Sequence, residues 1–176
     1  MNRRQLEHVV RAAAELTGEN EIVVIGSQAI LAAGGAIPDD ILLSQEADLY
    51  PLKRPELADL VEGAIGAGSI FAETFGYHAD GVGPETAKLP AGWMDRAYRV
   101  GFETTAAVCI CPEPNDLAAS KLISGRPKDL DWVRSGIGAG LFDPAIMQDR
   151  LAHVPDVSED TRDLARKRLR DIPAAT

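Results

Sequence analysis

Glu46 and Asp48 stand two residues apart in the run Ser44 to Tyr50 (SQEADLY), which reads as a strand stopped by Pro51. Strand alternation puts both carboxylates on one face, roughly 7 Å apart at the backbone. Acidic residues are depleted in strands, and like charges on one face repel unless something relieves them. Magnesium is the natural relief, because it prefers oxygen donors and takes one or two carboxylates together with substrate phosphates. An exposed edge strand, charged so that it does not pair with another chain, is the competing reading. Upstream, Glu21 to Ile25 (EIVVI) reads as a buried strand that ends in Gly26-Ser27, before a segment, Gln28 to Ala33, with a helical pattern. Gly26 lets the backbone approach a ligand, the amides opening a helix carry partial positive charge, and the Ser27 hydroxyl adds a donor. A strand–Gly-Ser–helix turn is common in proteins that bind nothing there. Only with the acidic pair does it point to a metal-bound phosphate.

The elements that must position these groups follow from periodicity and punctuation. Leu6, Val9, Val10, Ala13 and Leu16 recur at helical spacing, and Gly18 closes that helix. Gly34 to Asp40 is a loop, and Pro55 opens a helix through about Ile65. Tyr77 to Val82, Arg96 to Glu103 and Ala106 to Cys111 are predicted strands. Beyond Pro112 the pattern is helical: Leu117, Lys121 and Leu122 lie on a helix stopped by Gly125, and further helices cover Asp129 to Val133, Pro144 to Leu151 and Ser158 to Ile172. The order predicts an α+β fold, a small mixed β-sheet with flanking helices and a helical C-terminal half. Residues 1–112 are expected to form the sheet domain, and residues 113–176 a helical part packed on it as one unit, with fraying after Pro173.

These motifs resemble the nucleotidyltransferase signature, a Gly-Gly/Ser turn followed by a carboxylate-x-carboxylate strand. More narrowly, the chain is similar to the nucleotidyltransferase-like domains related to the AbiEii/MenT-type toxins of bacterial toxin–antitoxin systems. The stretches that carry the likeness are VVIGSQAI (Val23 to Ile30), EADLYP (Glu46 to Pro51), YHADGVGPETAKLPAGWMDR (Tyr77 to Arg96) and NDLAASKLISGRPKDLDWV (Asn115 to Val133). The resemblance implies that Mg2+ on Glu46 and Asp48 binds a nucleoside triphosphate whose outer phosphates rest on Gly26 and Ser27. A hydroxyl of RNA, tRNA or protein would attack the α-phosphorus, and pyrophosphate would leave. It implies, too, that Lys121 and Arg126 face the triphosphate, while Asp129 orients one of them or assists the acceptor. A third metal carboxylate is expected from a later strand: Asp80 first, Glu103 as the fallback. A cognate antitoxin is an implied partner. The chain departs from the family in having Glu46 where Asp is commoner. A weakened enzyme that binds nucleotide or protein as a regulatory module is therefore the alternative. Read without the resemblance, Lys121 and Asp129 are ordinary helix-surface residues, and Asp80 between Ala79 and Gly81 suits a turn.

Composition narrows the partners. With 27 acidic against 18 basic residues the formal charge is -9, so any nucleic acid must be met by a local basic patch or a bound cation. Arg162, Arg166 and Arg170 form one basic stripe on the last helix, usually no more than a solvated face. Cys109 and Cys111 are too close in sequence for a relaxed disulfide, and the three histidines are scattered, so no Cys/His zinc set is expected. Trp93 and Trp132 read as packing anchors. The N-terminal segment carries no signal-peptide pattern and no apolar run reaches spanning length, so the cytosol, without a membrane, is the expected compartment.

Overall fold

Asn2 caps the first helix, α1 (Arg3–Thr17), by accepting from the Gln5 amide while the Gln5 side chain accepts from its own backbone N–H. Gly18, at φ 70°, ends it in the left-handed conformation. The computed structural model describes residues 1–173; the fraying expected after Pro173 falls outside them. Five strands follow in one sheet: β1 (Glu21–Val24), β2 (Glu46–Pro51), β3 (His78–Gly81), β4 (Tyr98–Phe102) and β5 (Thr105–Cys111), in spatial order β3-β2-β1-β5-β4. β1 pairs antiparallel with β2 and parallel with β5, β2 runs parallel to β3, and β4 pairs antiparallel with β5. The sheet is mixed and the fold is α+β.

Strand alternation sorts the sheet into two faces. Ile22, Val24, Ala47, Leu49, Ala79, Cys109 and Cys111 share one buried cluster with Leu6, Val9, Val10 and Ala13 of α1. Val23, Ile25, Tyr50 and Ile110 point the other way, beneath Leu89 and Trp93. Glu46 and Asp48 have the parity of Tyr50, so both carboxylates belong to this second face. Cys109 and Cys111 are free thiols with Sγ atoms 3.3 Å apart, and their mutual hydrogen bond, with burial behind it, pushes the Cys111 thiol up.

Gln28 to Ala33 is not an α-helix. Ser27–Ala33 forms a 3-10 helix that stops at Gly34 and Gly35, both at positive φ. Two short helices absent from the sequence reading, α3 (Ile70–Phe75) and α4 (Trp93–Arg96), join α2 (Ala58–Ile65) beside the sheet. The C-terminal half is helical as expected: α5 (Pro114–Ser124), α6 (Pro127–Gly138), α7 (Pro144–Ala152) and α8 (Glu159–Arg170). Leu117, Leu122, Val133, Met147, Leu151 and Ala165 from these helices continue the cluster that holds α1. Asp116, wholly buried in the first turn of α5, receives two hydrogen bonds from Arg96 (2.8 and 3.0 Å) and lies 3.0 Å from Arg150 Nε. This ionic triad fastens α4, α5 and α7 together. On α8 two of the three stripe arginines are engaged locally: Arg162 donates to the Leu151 and Val154 carbonyls, and Arg166 to Glu159 and Asp163, while Arg170 is exposed. Among the described residues no helix is long and apolar enough to cross a membrane.

Candidate active site

β1 delivers Gly26 and Ser27 directly against β2. A Cβ built on Gly26 would lie 1.7 Å from Asp48 Oδ2, so the carboxylate occupies the space that any other residue's side chain would need. Gly26 has an ordinary extended backbone (φ -79°), and its requirement is close approach rather than a special conformation. Ser27, Glu46, Asp48, Lys121, Arg126 and Asp129 all line one cavity of about 380 Å3. A smaller hollow of about 160 Å3 adjoins it through Asp48, Lys121 and Arg126 and is bounded by Gly26 and Ser120. The cation-bearing wall comes from α5 and the start of α6.

Asp129 organises that wall. Its side chain is 2% exposed and accepts from Lys121 Nζ (3.0 Å), Ser124 Oγ (2.9 Å) and Arg126 Nε (2.6 Å). Burial alone would push the Asp129 carboxyl up, but the Arg126 hydrogen bond, the Lys121 charge and hydrogen bond, and Ser124 outweigh it and hold it below the ordinary value. The same contact raises Arg126. Lys121 is only 11% exposed and sits 4.9 Å above the Trp132 ring. Trp132 is a packing anchor, since it stacks on Phe142 and donates to the Ile41 carbonyl; its ring is also part of the cavity wall.

The acidic wall is set by the β2–β3 register. Glu46 lies opposite His78, and Asp48 opposite Asp80. Burial first, then the charges of Glu46 and Asp80, push the Asp48 carboxyl up, with Lys121 and Lys128 opposing. Burial raises Asp80 as well, against the pull of His78. One oxygen of Asp80, Oδ1, is shielded from solvent and has no hydrogen-bond partner. Glu46, His78 and Asp80 each offer a ligand atom, all within 4.8 Å of one another. Mutually repelling carboxylates, an orphaned oxygen and an oxygen-rich donor set fit a divalent cation. Lys128 approaches Glu46 to 3.8 Å, a solvent-exposed pair of little weight. Glu103 lies in the β4–β5 turn, at the opposite margin of the sheet from β3.

His78 and Ser124 are functional candidates absent from the sequence reading. The signal for His78 was present: alternation in Tyr77 to Val82 places it on the face of Asp80. Ser124 carried none, because its role comes from the α5–α6 corner.

The family model for "nucleotidyltransferase of unknown function" (DUF6036) matches residues 4–170. The chain belongs to this family. The match spans every strand and all eight helices except the first residue of α1, so the nucleotidyltransferase-like domain is essentially the whole described fold. No curated protein and no solved structure matches the chain.

Proposed function

We propose that this domain transfers a nucleoside monophosphate from a magnesium-bound nucleoside triphosphate to a hydroxyl on RNA, tRNA or protein. The observation that supports this most is the meeting of Gly26, Ser27 and Asp48 with the Lys121–Asp129–Arg126 set around one cleft. Glu46, Asp48 and Asp80 would hold a divalent cation, which would supply positive charge to the triphosphate oxygens. The Ser27 hydroxyl and the neighbouring amides donate to the outer phosphates. Lys121 and Arg126 offset the charge that gathers on the departing pyrophosphate, and Asp129 positions both cations without touching substrate. The acceptor oxygen bonds to the α-phosphorus as the bond to the bridging oxygen breaks, and the hydroxyl proton passes to water.

Incubating the purified protein with Mg2+, each of four labelled triphosphates and a tRNA pool tests this. Label should enter an acceptor, and Asp48→Ala should abolish it. The absence of transfer from all four triphosphates would reject the enzymatic reading. Glu46 favours a second one, since its side chain is 38% exposed and directed partly to Lys128. A weakened enzyme would bind Mg2+-triphosphate in calorimetry without turnover and act as a regulatory module. Membership of a toxin–antitoxin pair extends either reading on the strength of the family likeness alone. Growth arrest on expression, relieved by the product of an adjacent gene, is its test.

A further inference from the structure

We propose that Glu46, His78 and Asp80 bind one divalent transition-metal ion, with the His78 imidazole as its nitrogen ligand. Nucleotidyl transfer as read above needs only a hard cation on carboxylates and gives His78 no part. His78 adds a ligand and a metal preference to that site, whether or not a nucleotide is used.

The backbone sets the arrangement. His78 and Asp80 alternate onto the same face of β3, and the parallel register puts Glu46 directly opposite His78. The three ligand atoms fall within 4.8 Å of one another; bonds of about 2.0–2.2 Å span at most about 4.4 Å, so one ion can bridge the set once these part-exposed side chains draw in by a few tenths of an ångström. Asp80 Oδ1 has neither water access nor a hydrogen bond, and it lies 3.2 Å from His78 Nε2. An unsatisfied carboxylate oxygen facing an imidazole nitrogen is relieved either by a proton on that nitrogen or by a cation taken by both. Glu46 favours the cation, since it brings a second negative group to the same point. The side chains of His78 and Asp80 are 21% and 31% exposed, so an ion can enter without the sheet opening.

The donor set decides the kind of ion. Mg2+ demands near-ideal octahedral oxygen coordination and keeps its water, whereas imidazole suits later divalent ions. Mn2+ accepts both donor types and is the probe of choice, because its electron spin reports its ligands directly.

Metal-free protein titrated with Mn2+, without nucleotide, should bind one equivalent, and spin-echo spectra should show the nitrogen coupling of one imidazole. His78→Gln should remove that coupling and weaken Mn2+ binding at least ~10-fold, and Asp80→Asn should weaken it comparably. Mg2+ in hundredfold excess should leave most Mn2+ in place. A wild-type spectrum without nitrogen coupling, or equal Mn2+ affinity in His78→Gln, overturns the proposal; the wild-type spectrum decides even if a variant misfolds. Failed nucleotidyl transfer alongside a nitrogen-coupled Mn2+ would reject the enzymatic reading and leave this site standing.

Discussion

Asp129 carries the cationic wall of the cleft, and its replacement reads out that dependence. Removing one partner of a buried ion pair leaves the other charge uncompensated, at a cost of about 3–5 kcal/mol. Asp129→Ala should therefore lower the unfolding free energy by about 3 kcal/mol in denaturant titrations at neutral pH. The folded pKa of Asp129 lies below its unfolded value, so its contribution is present above the ordinary carboxylate range. It is lost as pH falls through the depressed folded value, and the wild-type advantage should shrink in acid. Gly26→Ala should act differently. Its new methyl must displace the Asp48 carboxylate, so triphosphate affinity in calorimetry should fall at least ~10-fold, while packing strain of about 1–3 kcal/mol accompanies it. At this scale the sequence was informative where alternation alone fixes direction: Glu46 and Asp48 on one face of β2. Lys121 was legible only through family likeness, because nothing in a helical pattern says that a lysine will be 11% exposed.

Elements were legible where punctuation was local. Gly18 and Gly125 end their helices in the left-handed conformation the sequence suggests. Helix α3 was missed although Ser69 caps it and Gly76 closes it, because six residues are too few for periodicity to register. The 3-10 form of Ser27–Ala33 was hidden for the same reason. Strand pairing was not legible at all: that β3 adds parallel to β2, rather than elsewhere, is a tertiary choice. It rests in part on Gly81, where a Cβ would meet the Ala58 carbonyl at 1.9 Å, so α2 packs flush on β3. Gly125 offers the sharper test at this scale. It has φ 65°, and the Arg168 guanidinium of α8 covers it, with Cζ 1.9 Å from a built Cβ, while donating to the Leu122 and Ile123 carbonyls. Gly125→Ala should add left-handed strain and displace that cap, destabilising the protein by at least about 1 kcal/mol in thermal melts.

For the molecule as a whole, charge and connectivity matter most. A net charge of -9, with Arg162 and Arg166 already engaged, leaves little to hold a phosphate backbone. Without nucleotide or cation, fluorescence anisotropy should detect no micromolar binding of unstructured RNA at physiological salt. Saturable binding there would mean that a basic surface operates after all. The helical half is coupled to the sheet face through the Arg96–Asp116–Arg150 triad. Asp116→Ala should strand two guanidinium groups and cost about 3–5 kcal/mol in equilibrium unfolding, although Asp116 lines neither hollow of the cleft.

Strand β3 is four residues long, lies at the sheet margin, and carries two of the three groups of the proposed ion site. Peeling it away would pull His78 and Asp80 off Glu46, so margin fraying and ion release become a single thermodynamic event. The amides of His78 and Val82, which donate to the Gln45 and Leu49 carbonyls, are its reporters. At an ion concentration a hundred times Kd, their deuterium uptake should slow by about 100-fold.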